Sequence, residues 1–385
     1  MSTRPARIYT CTPVAFHGNA SFFTRDTGLI CRSLQGAGIE SRPVMPLPAH
    51  ADDLPGEVLR VPPARLRSAA WWRSLGLDGV VLYSWGDPRY TAVAAAIKRA
   101  GIRLVIHYDA NCELHEHLQR PGGTLKRLLN RLKDAAVNRL RARHLAYADA
   151  ITCSAPMAQA FRTDPYYGER IAAKCQNMPC PVSGVFRLRE NTPRERLMVA
   201  VGNWENAHAK RPEMLAAALE AYYAATPPRR QCCTEIYGTA TDFLSTWHAS
   251  LPTSMQRRIT LYGRATPHQL AEAYNRARFI ICPSRHESSH IASAEALCCG
   301  CSVVCAHRPV LLGIVSWYTT RESGTVAADD TPQGLAEAMA AENAAWDSGL
   351  RNPQQISAAW QPCVSTRRKS CPGSFWASSR QAPFP

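Results

Sequence analysis

The sequence predicts an α/β fold made of two domains, each with a doubly wound parallel sheet. Short apolar, strand-like runs alternate with amphipathic helical segments, and this alternation stops at a proline-containing passage and then starts again. Strands that alternate with helices favour a parallel sheet covered on both faces. The chain of 385 residues also has room for two domains of roughly 100–200 residues each.

The first half contains five predicted strands, and glycine follows two of the helices between them. Thr27–Gln35 is followed by Gly36, and Tyr90–Arg99 ends just before Gly101. Glycine directly after a periodic segment indicates the C-terminus of a helix. The predicted strands are Arg7–Thr12, Arg42–Met45, Gly79–Trp85, Ile102–His107 and Ala148–Ser154.

A polar passage, Met178–Arg196, contains three prolines and is interpreted as a linker between predicted domains 1–190 and 191–361. Helices are expected from Pro212, from Pro267 and near His290. The predicted strands of the second domain are Leu197–Gly202, Glu235–Gly238, Ile259–Gly263, Phe279–Pro283 and Ser302–Cys305.

The end of the chain has a different composition. Residues 362–385 show neither helical nor strand periodicity and contain no acidic residue. Such a segment buries little apolar surface and is typical of disorder. We expect a helix over Pro353–Trp360 to stop before Pro362, and the irregular tail 362–385 to make few contacts with either domain.

Charge and composition restrict the partners and the compartment. The net charge of +15 favours anionic partners, but no zinc-finger, RNP-like or helix-turn-helix signal is present, so nucleic acid is not expected. The apolar runs are far shorter than the ~20 residues of a membrane span. The scattered 15 cysteines indicate reduced thiols, and the first residues lack a secretory signal, so we expect a cytoplasmic location.

Several common nucleotide and metal motifs are absent. The sequence has no phosphate loop, and Gly36-Ala37-Gly38 follows a helix instead of opening one. It has no Asp-x-Asp, the usual carboxylate pair for a metal bound to a sugar diphosphate, so no metal is expected. Cys298-Cys299-Gly300-Cys301 contains one C-x-x-C without a second, and we interpret it as packing between a helix end and a strand.

One region carries the strongest functional signal. After the strand Phe279–Pro283, a loop leads into a predicted helix Ile291–Cys299. Glu287 lies in the loop and Glu295 lies just over one turn inside the helix. Free amides at a helix N-terminus form a natural diphosphate site, and Ser288 or Ser289 can cap this one. The alternative is that Glu287 is a solvated loop charge and Glu295 a surface helix residue.

The pattern Pro-Ser-x-x-Glu, seven residues, then Glu-Ala-Leu-x-x-Gly-x-x-Val-Val resembles the donor-site signature of retaining glycosyltransferases of family 4, the glycosyl transferases group 1. The resemblance implies the GT-B fold, in which two Rossmann-like domains face a cleft. It also implies a nucleotide-sugar donor as substrate, no cofactor, and transfer with retention. In that family the first glutamate, Glu287, contacts the transferred sugar, and the second, Glu295, holds the ribose.

The chain departs from the family pattern at two places. His290 stands three positions after the first glutamate, where the family has glycine near the phosphates. Gly202 is followed by Asn203 where the family commonly has arginine. The expected phosphate partner is Lys210, with Arg211 second, and the alternative is a solvated lysine before a helix.

Two residues of the first domain match the family in position. His107 ends a predicted strand, and the resemblance places a histidine there beside the donor sugar. Polar residues at the carboxyl ends of parallel strands are where such folds bind ligands, although a lone histidine is more often structural. Gly18, in the loop after the first strand with Asn19, matches the loop that closes near the phosphates.

A basic amphipathic stretch, Leu125–Arg143, predicts either a helix packed on the sheet or a surface that docks on anionic membrane. Its leucines recur at helical spacing and one acid, Asp134, stands among the basic residues. Those residues are Lys126, Arg127, Arg131, Lys133, Arg139, Arg141 and Arg143.

The sequence thus favours a glycosyltransferase that acts on a cell-envelope glycan or a lipid-linked saccharide at the cytoplasmic membrane face. Two alternatives stay open. A nucleotide-sugar epimerase of the same fold would need no acceptor, and a non-catalytic family member is favoured by His290 and Asn203.

Overall fold

The computed structural model describes residues 5–108, 114, 123–153, 155–177, 181–239, 241–285, 287, 290–307 and 318–364. The chain divides into two compact units with a boundary between Pro181 and Val182. This boundary precedes the predicted residue 190 because Val182 and Phe186 are buried in a core of the second unit. Each unit is a parallel sheet with helices, so the predicted α/β class is confirmed.

The first unit contains a seven-stranded parallel sheet in the order β3-β2-β1-β4-β5-β6-β7. All five predicted strands are present, with ends shifted by one or two residues. The two three-residue edge strands, β3 and β7, were not predicted, because segments this short carry no clear alternation. The strands are β1 Ile8–Cys11, β2 Pro43–Pro46, β3 Leu59–Val61, β4 Gly79–Tyr83, β5 Arg103–His107, β6 Ala150–Cys153 and β7 Cys175–Asn177.

The helices of the first unit include the two that glycine signals predicted. These are α1 and α4. Gly101 follows α4 as expected, whereas Gly36 is the last residue of α1 and Gly38, with φ 78°, follows that helix. The helices are α1 Asp26–Gly36, α2 Pro63–Leu66, α3 Ala69–Ser74, α4 Thr91–Arg99, α5 Thr124–Ala146, α6 Ala155–Thr163 and α7 Gly168–Ala172, with 3-10 turns at Phe22–Thr24 and Pro88–Tyr90.

The second unit contains a six-stranded parallel sheet in the order β10-β9-β8-β11-β12-β13. The five predicted strands correspond to its first five strands in chain order, and the edge strand β13 was not predicted. The strands are β8 Leu197–Asn203, β9 Cys233–Thr239, β10 Ile259–Leu261, β11 Phe279–Cys282, β12 Ser302–Cys305 and β13 Gly324–Val326.

Helices cover both faces of this sheet, and proline begins several of them, as its fixed φ favours. None of the helices among the described residues has the length and hydropathy to cross a membrane. The helices are α8 Ala207–Lys210, α9 Pro212–Ala225, α10 Asp242–Ser250, α11 Thr253–Gln256, α12 Pro267–Arg276, α13 Ile291–Cys298, α14 Pro332–Asp347 and α15 Pro353–Val364, with a 3-10 turn at Pro228–Arg230.

Helix α15 packs against α13 and extends further than predicted. Ser357 Oγ and Gln361 Nε2 donate hydrogen bonds to the Cys298 carbonyl, at 2.7 and 3.2 Å. These contacts stabilise the last turn, and the helix runs to Val364. The expected stop before Pro362 is therefore wrong, because tertiary contacts outweigh the local preference of proline. Residues 365–385, the rest of the predicted tail, lie outside the described residues.

Helix α5 packs in the opposite sense to the one its leucines suggest. Its buried residues are mostly polar: Asn138 accepts a hydrogen bond from Tyr167 Oη at 2.6 Å, and the His144 Nε2 lies 2.8 Å from Ser84 Oγ. The leucines of the predicted apolar stripe face solvent. Leu125, Leu128, Leu129, Leu132 and Leu140 are 72, 53, 48, 61 and 51% exposed.

A buried carboxylate fixes α14 on the sheet. Glu342 is 0% exposed, and its oxygens accept hydrogen bonds from Ser302 Oγ and Thr325 Oγ1, both at 2.6 Å. Arg351 donates two more at 2.7 Å. The carboxylate therefore joins α14 to β12, to β13 and to the segment before α15.

We expect Glu342→Ala to lower the free energy of unfolding by about 3–5 kcal/mol, because it leaves the buried Arg351 guanidinium without its anion. Glu337→Ala, on the exposed face of the same helix, is the matched control and should change it by less than about 1 kcal/mol. Urea titrations measure both. Equal losses in the two variants would show that the buried carboxylate contributes nothing special.

Candidate functional site

The candidate site lies in the second unit, where β8 and β11 end. The two strands are parallel neighbours, so the segments that follow them leave the same edge of the sheet. The backbone nitrogen of Arg285 donates to the Ala209 carbonyl at 2.7 Å. This bond joins the segment after β11 to helix α8, which follows β8.

An ion pair connects these two segments. The Lys210 Nζ lies 2.5 Å from Glu287 Oε1, and the side chains are 22 and 10% exposed. Neither residue is the solvated surface charge that was the alternative interpretation. The structure therefore places together the predicted phosphate partner and the predicted sugar-contacting carboxylate.

The surroundings of Glu287 favour its ionised form. Burial by itself raises the pKa of this carboxyl, but the charges of its neighbours and the hydrogen bonds from Lys210 and Ser284 together lower the pKa to below its ordinary value. The Lys210 ammonium, in contact with the carboxylate, therefore favours its ionised form.

His290 points into the same site from the start of α13. Its backbone has φ 29° and ψ 66°, in the left-handed region that favours glycine, the residue the family has there. The Nδ1 lies 2.6 Å from Ser293 Oγ and the Nε2 lies 3.9 Å from Glu287 Oε1. Burial lowers the pKa of the imidazole to about 4, so the ring is neutral near pH 7.

Helix α13 carries the second glutamate. Glu295 is 6% exposed, so it is a buried residue and not a surface one. The N-cap of the helix is His290, whereas Ser288 or Ser289 was the expected cap. Both serines lie outside the described residues.

Arg211 points to a different partner from Lys210. It has φ 54° and ψ 59° between α8 and α9, and its Nη1 lies 2.6 Å from Asp330 Oδ1. The left-handed residue lets the chain turn from one helix directly into the next. In this structure Arg211 therefore links α8 and α9 to the segment after β13.

Gly202 and Asn203 end β8 beside Gly238. A Cβ on Gly202 would lie 3.3 Å from the Trp204 ring, and one on Gly238 would lie 1.8 Å from the Gly202 carbonyl oxygen. Trp204 Nε1 donates to the Tyr237 carbonyl at 2.9 Å, which fixes that ring. Close packing thus requires glycine at 238 and leaves little space for a side chain at 202. Asn203 accepts a hydrogen bond from Thr239 Oγ1 at 2.6 Å.

Two predicted residues belong to the first unit. His107 ends β5, is 2% exposed, and has its Nδ1 2.8 Å from Thr152 Oγ1, while its ring stacks on Tyr83. Gly18 donates its backbone N–H to Asp53 Oδ1 at 2.6 Å. A Cβ on Gly18 would meet Val58 at 2.5 Å, so close packing already explains that glycine.

Cys282 is a site residue that sequence reasoning missed. It ends β11 and is 1% exposed. Its sulfur, a Glu287 oxygen and a His290 nitrogen lie within 4.8 Å of one another. An apolar strand residue gave no signal of this, although its position at a strand end, five residues before a glutamate, was visible. Cys298, Cys299 and Cys301 are buried in the same core as Cys282 but lie outside this group of three.

Residues 195–341, most of the second unit, match the family described as glycosyl transferases group 1. The second unit is similar to this family over those residues. The resemblance expected from the glutamate pattern is therefore confirmed at this level. A search of curated proteins finds no match.

Solved glycosyltransferases share the fold over nearly the whole chain. A glycosyltransferase from Rickettsia africae has 12% identity and a TM-score of 0.64, with 94% of this chain and 95% of that chain covered. Anabaena HepE in complex with UDP and glucose has 13% sequence identity and a TM-score of 0.63, with 94% of this chain and 96% of that chain covered. WaaG, a glycosyltransferase involved in lipopolysaccharide biosynthesis, has 14% identity and a TM-score of 0.62, with 92% of this chain and 95% of that chain covered. These identities show the fold alone, and the predicted GT-B fold is confirmed.

We expect Lys210→Met to cost about 1–3 kcal/mol of stability, since it leaves a largely buried Glu287 carboxylate without its cation. The double variant with Glu287→Gln should recover much of this loss. Glu195→Gln breaks an exposed pair with Arg276 in the same unit and should cost less than about 1 kcal/mol. Urea titrations of these three variants and of Glu287→Gln alone give all four values, and purely additive losses in the double variant would mean that the pair is not coupled.

Proposed function

We propose that the chain is a retaining glycosyltransferase that moves a sugar from a nucleotide-sugar donor to a glycan or lipid-linked acceptor, without a metal or cofactor. The observation that carries the proposal is the ion pair of Lys210 and Glu287 at the mouth of α13. The family of the second domain and its structural neighbours support this enzyme class. HepE, one of those neighbours, was solved with UDP-glucose.

The proposed chemistry uses charges that the site already contains. Cleavage of the bond between the anomeric carbon and the diphosphate leaves negative charge on phosphate oxygens. The Lys210 ammonium and the free amides at the start of α13 would stabilise that charge. Glu287 would face the transferred sugar and Glu295 the ribose, as the family resemblance implies.

Donor binding would change the partner of Lys210. In the donor-free site its ammonium is neutralised by Glu287 at 2.5 Å. A bound diphosphate offers a stronger anion, and Glu287 is then free to accept hydrogen bonds from sugar hydroxyls. The ion pair would therefore keep both side chains ionised and in position until the donor arrives.

His107 and Gly18, in the first unit, are proposed to approach the donor sugar and phosphates, as their family counterparts do. Asn203, Gly202 and Arg211 are proposed to line the phosphate side, with His290 in the place of the family's glycine. A transferase of this kind would act in the cytoplasm. An epimerase of the same fold would instead convert or release donor sugar without any acceptor.

We also propose that α5 docks on the cytoplasmic face of an anionic membrane, where lipid-linked acceptors are found. Its exposed leucines and the basic residues between them fit the interface of lipid headgroups and acyl chains. Because the polar face of the helix packs inward, its leucines are exposed and available for contact with a membrane.

The first test separates the two glutamates. Glu295→Ala should weaken binding of UDP, GDP or ADP about 10–100-fold, since it removes hydrogen bonds to the ribose. Glu287→Ala should mainly slow transfer, by about 10²–10³-fold. Calorimetry and a transfer assay with a panel of nucleotide sugars measure the two effects. Glu272→Ala, exposed on α12, is the control, and unchanged binding and turnover in both site variants would refute the assignment.

The second test concerns metal. Transfer activity should survive EDTA, because the cationic groups at the phosphates would be protein groups. Activity that disappears on chelation and returns with Mn²⁺ or Mg²⁺ would mean that a metal neutralises the diphosphate.

The third test concerns α5. Reversing Lys126, Arg131 and Lys133 to Glu should weaken binding to anionic vesicles at least 100-fold, since each charge contributes about 1 kcal/mol. Cosedimentation with phosphatidylglycerol vesicles measures this. The control makes the same charge change on other exposed arginines of the unit: Arg65, Arg67 and Arg103. Equal sedimentation of the helix variant and the wild type would exclude α5 as the docking surface.

A further inference from the structure

We propose that Cys282, Glu287 and His290 form a binding site for Zn²⁺ or a similar borderline divalent ion. The three side chains converge at the end of β11, and their ligand atoms lie within 4.8 Å of one another. Sulfur, carboxylate oxygen and imidazole nitrogen are the donor set that zinc takes in proteins. Metal binding here is distinct from the proposed transfer reaction, which needs no metal.

The distances are close to those of a tetrahedral site. With zinc bonds of about 2.0–2.3 Å, neighbouring ligand atoms of a tetrahedron stand roughly 3.5 Å apart. The His290 Nε2 and Glu287 Oε1 already lie 3.9 Å apart. From the 4.8 Å limit to roughly 3.5 Å the set needs to contract by about 1.3 Å at most, which small rotations of the three side chains supply.

His290 is held in the orientation of a metal ligand. Its Nδ1 lies 2.6 Å from the hydroxyl of Ser293, a residue that is 0% exposed, while its Nε2 faces the carboxylate. Metal-binding histidines usually have their second ring nitrogen bonded in this way, which fixes ring and tautomer. The left-handed backbone at this position, φ 29°, also brings the ring inward, where the family's glycine would leave space.

A cation already occupies part of this site. The Lys210 Nζ lies 2.5 Å from Glu287 Oε1, at one corner of the ligand set. When the ion binds, the Cys282 thiol loses its proton to solvent as the sulfur–metal bond forms, and Glu287 exchanges the ammonium for the metal. No electron is transferred, and a water completes the fourth position.

The position of the ion gives it an inhibitory role, an effect that rests on the proposed function. A metal on Glu287 would remove that carboxylate from the donor sugar and displace Lys210 from its present place. Zn²⁺ should therefore inhibit transfer, and EDTA should restore it. Failure of inhibition alone would count against the proposed function, whereas failure of metal binding would count against this site.

The direct test uses Co²⁺ in place of Zn²⁺, because cobalt bound to a thiolate gives a charge-transfer band in the near ultraviolet. The full chain, freed of metal and kept reduced, should bind one equivalent with this band, and Zn²⁺ should abolish it. Cys282→Ala should lose the band, and His290→Gln should bind at least tenfold more weakly. Cys301→Ala, at a cysteine that is equally buried, 0% against 1% exposed for Cys282, but lies outside the ligand set, should behave as the wild type.

Circular dichroism and thermal unfolding check that each variant is folded. If the alanine variant does not fold, Cys282→Ser, which replaces the thiol by a hydroxyl, takes its place. A charge-transfer band of unchanged strength in folded Cys282 variants would overturn the proposal. So would affinity that does not depend on His290, or a wild-type chain that shows no such band at equimolar Co²⁺.

Discussion

The second unit depends on how parallel strands end at a common edge. Because β8 and β11 are direct neighbours, the segments after them meet, and their opposite charges neutralise each other as Lys210 and Glu287. Neither charge could be buried alone at an acceptable free-energy cost. The pair thus reconciles a mostly apolar domain with the charges of the candidate site.

Sequence alone predicted the parts of the fold that carry strong local signals. Apolar strands such as β11 and helices closed by glycine or opened by proline were placed to within a few residues. The three-residue edge strands β3, β7 and β13 were missed, since only pairing with a neighbour defines them. The end of α15 was misplaced because contacts with the Cys298 carbonyl, distant in sequence, hold its last turn.

The candidate site shows the same division. The spacing of Glu287 and Glu295 was readable as a motif, and Lys210 followed from its place after β8. Cys282 was invisible, because in sequence it is one more apolar residue of a strand. Its sulfur lies near the His290 ring only in the folded chain. For helix α5 the predicted helical period was correct, but the polar residues Asn138 and His144 face inward. Periodicity alone does not tell which face of such a helix is buried.

The contact between α15 and α13 has a consequence for biosynthesis. Helix α13, which carries Glu295, has a carbonyl at its C-terminal end that is bonded by Ser357 and Gln361, which lie 59 and 63 residues further along the chain. A ribosome makes this helix well before it makes the side chains that hold it. The first unit can mature during translation, whereas α13 in the second unit is held only after these two residues have been synthesised, so ribosomes that stall before them would release chains in which the helix of the candidate site is not yet fixed.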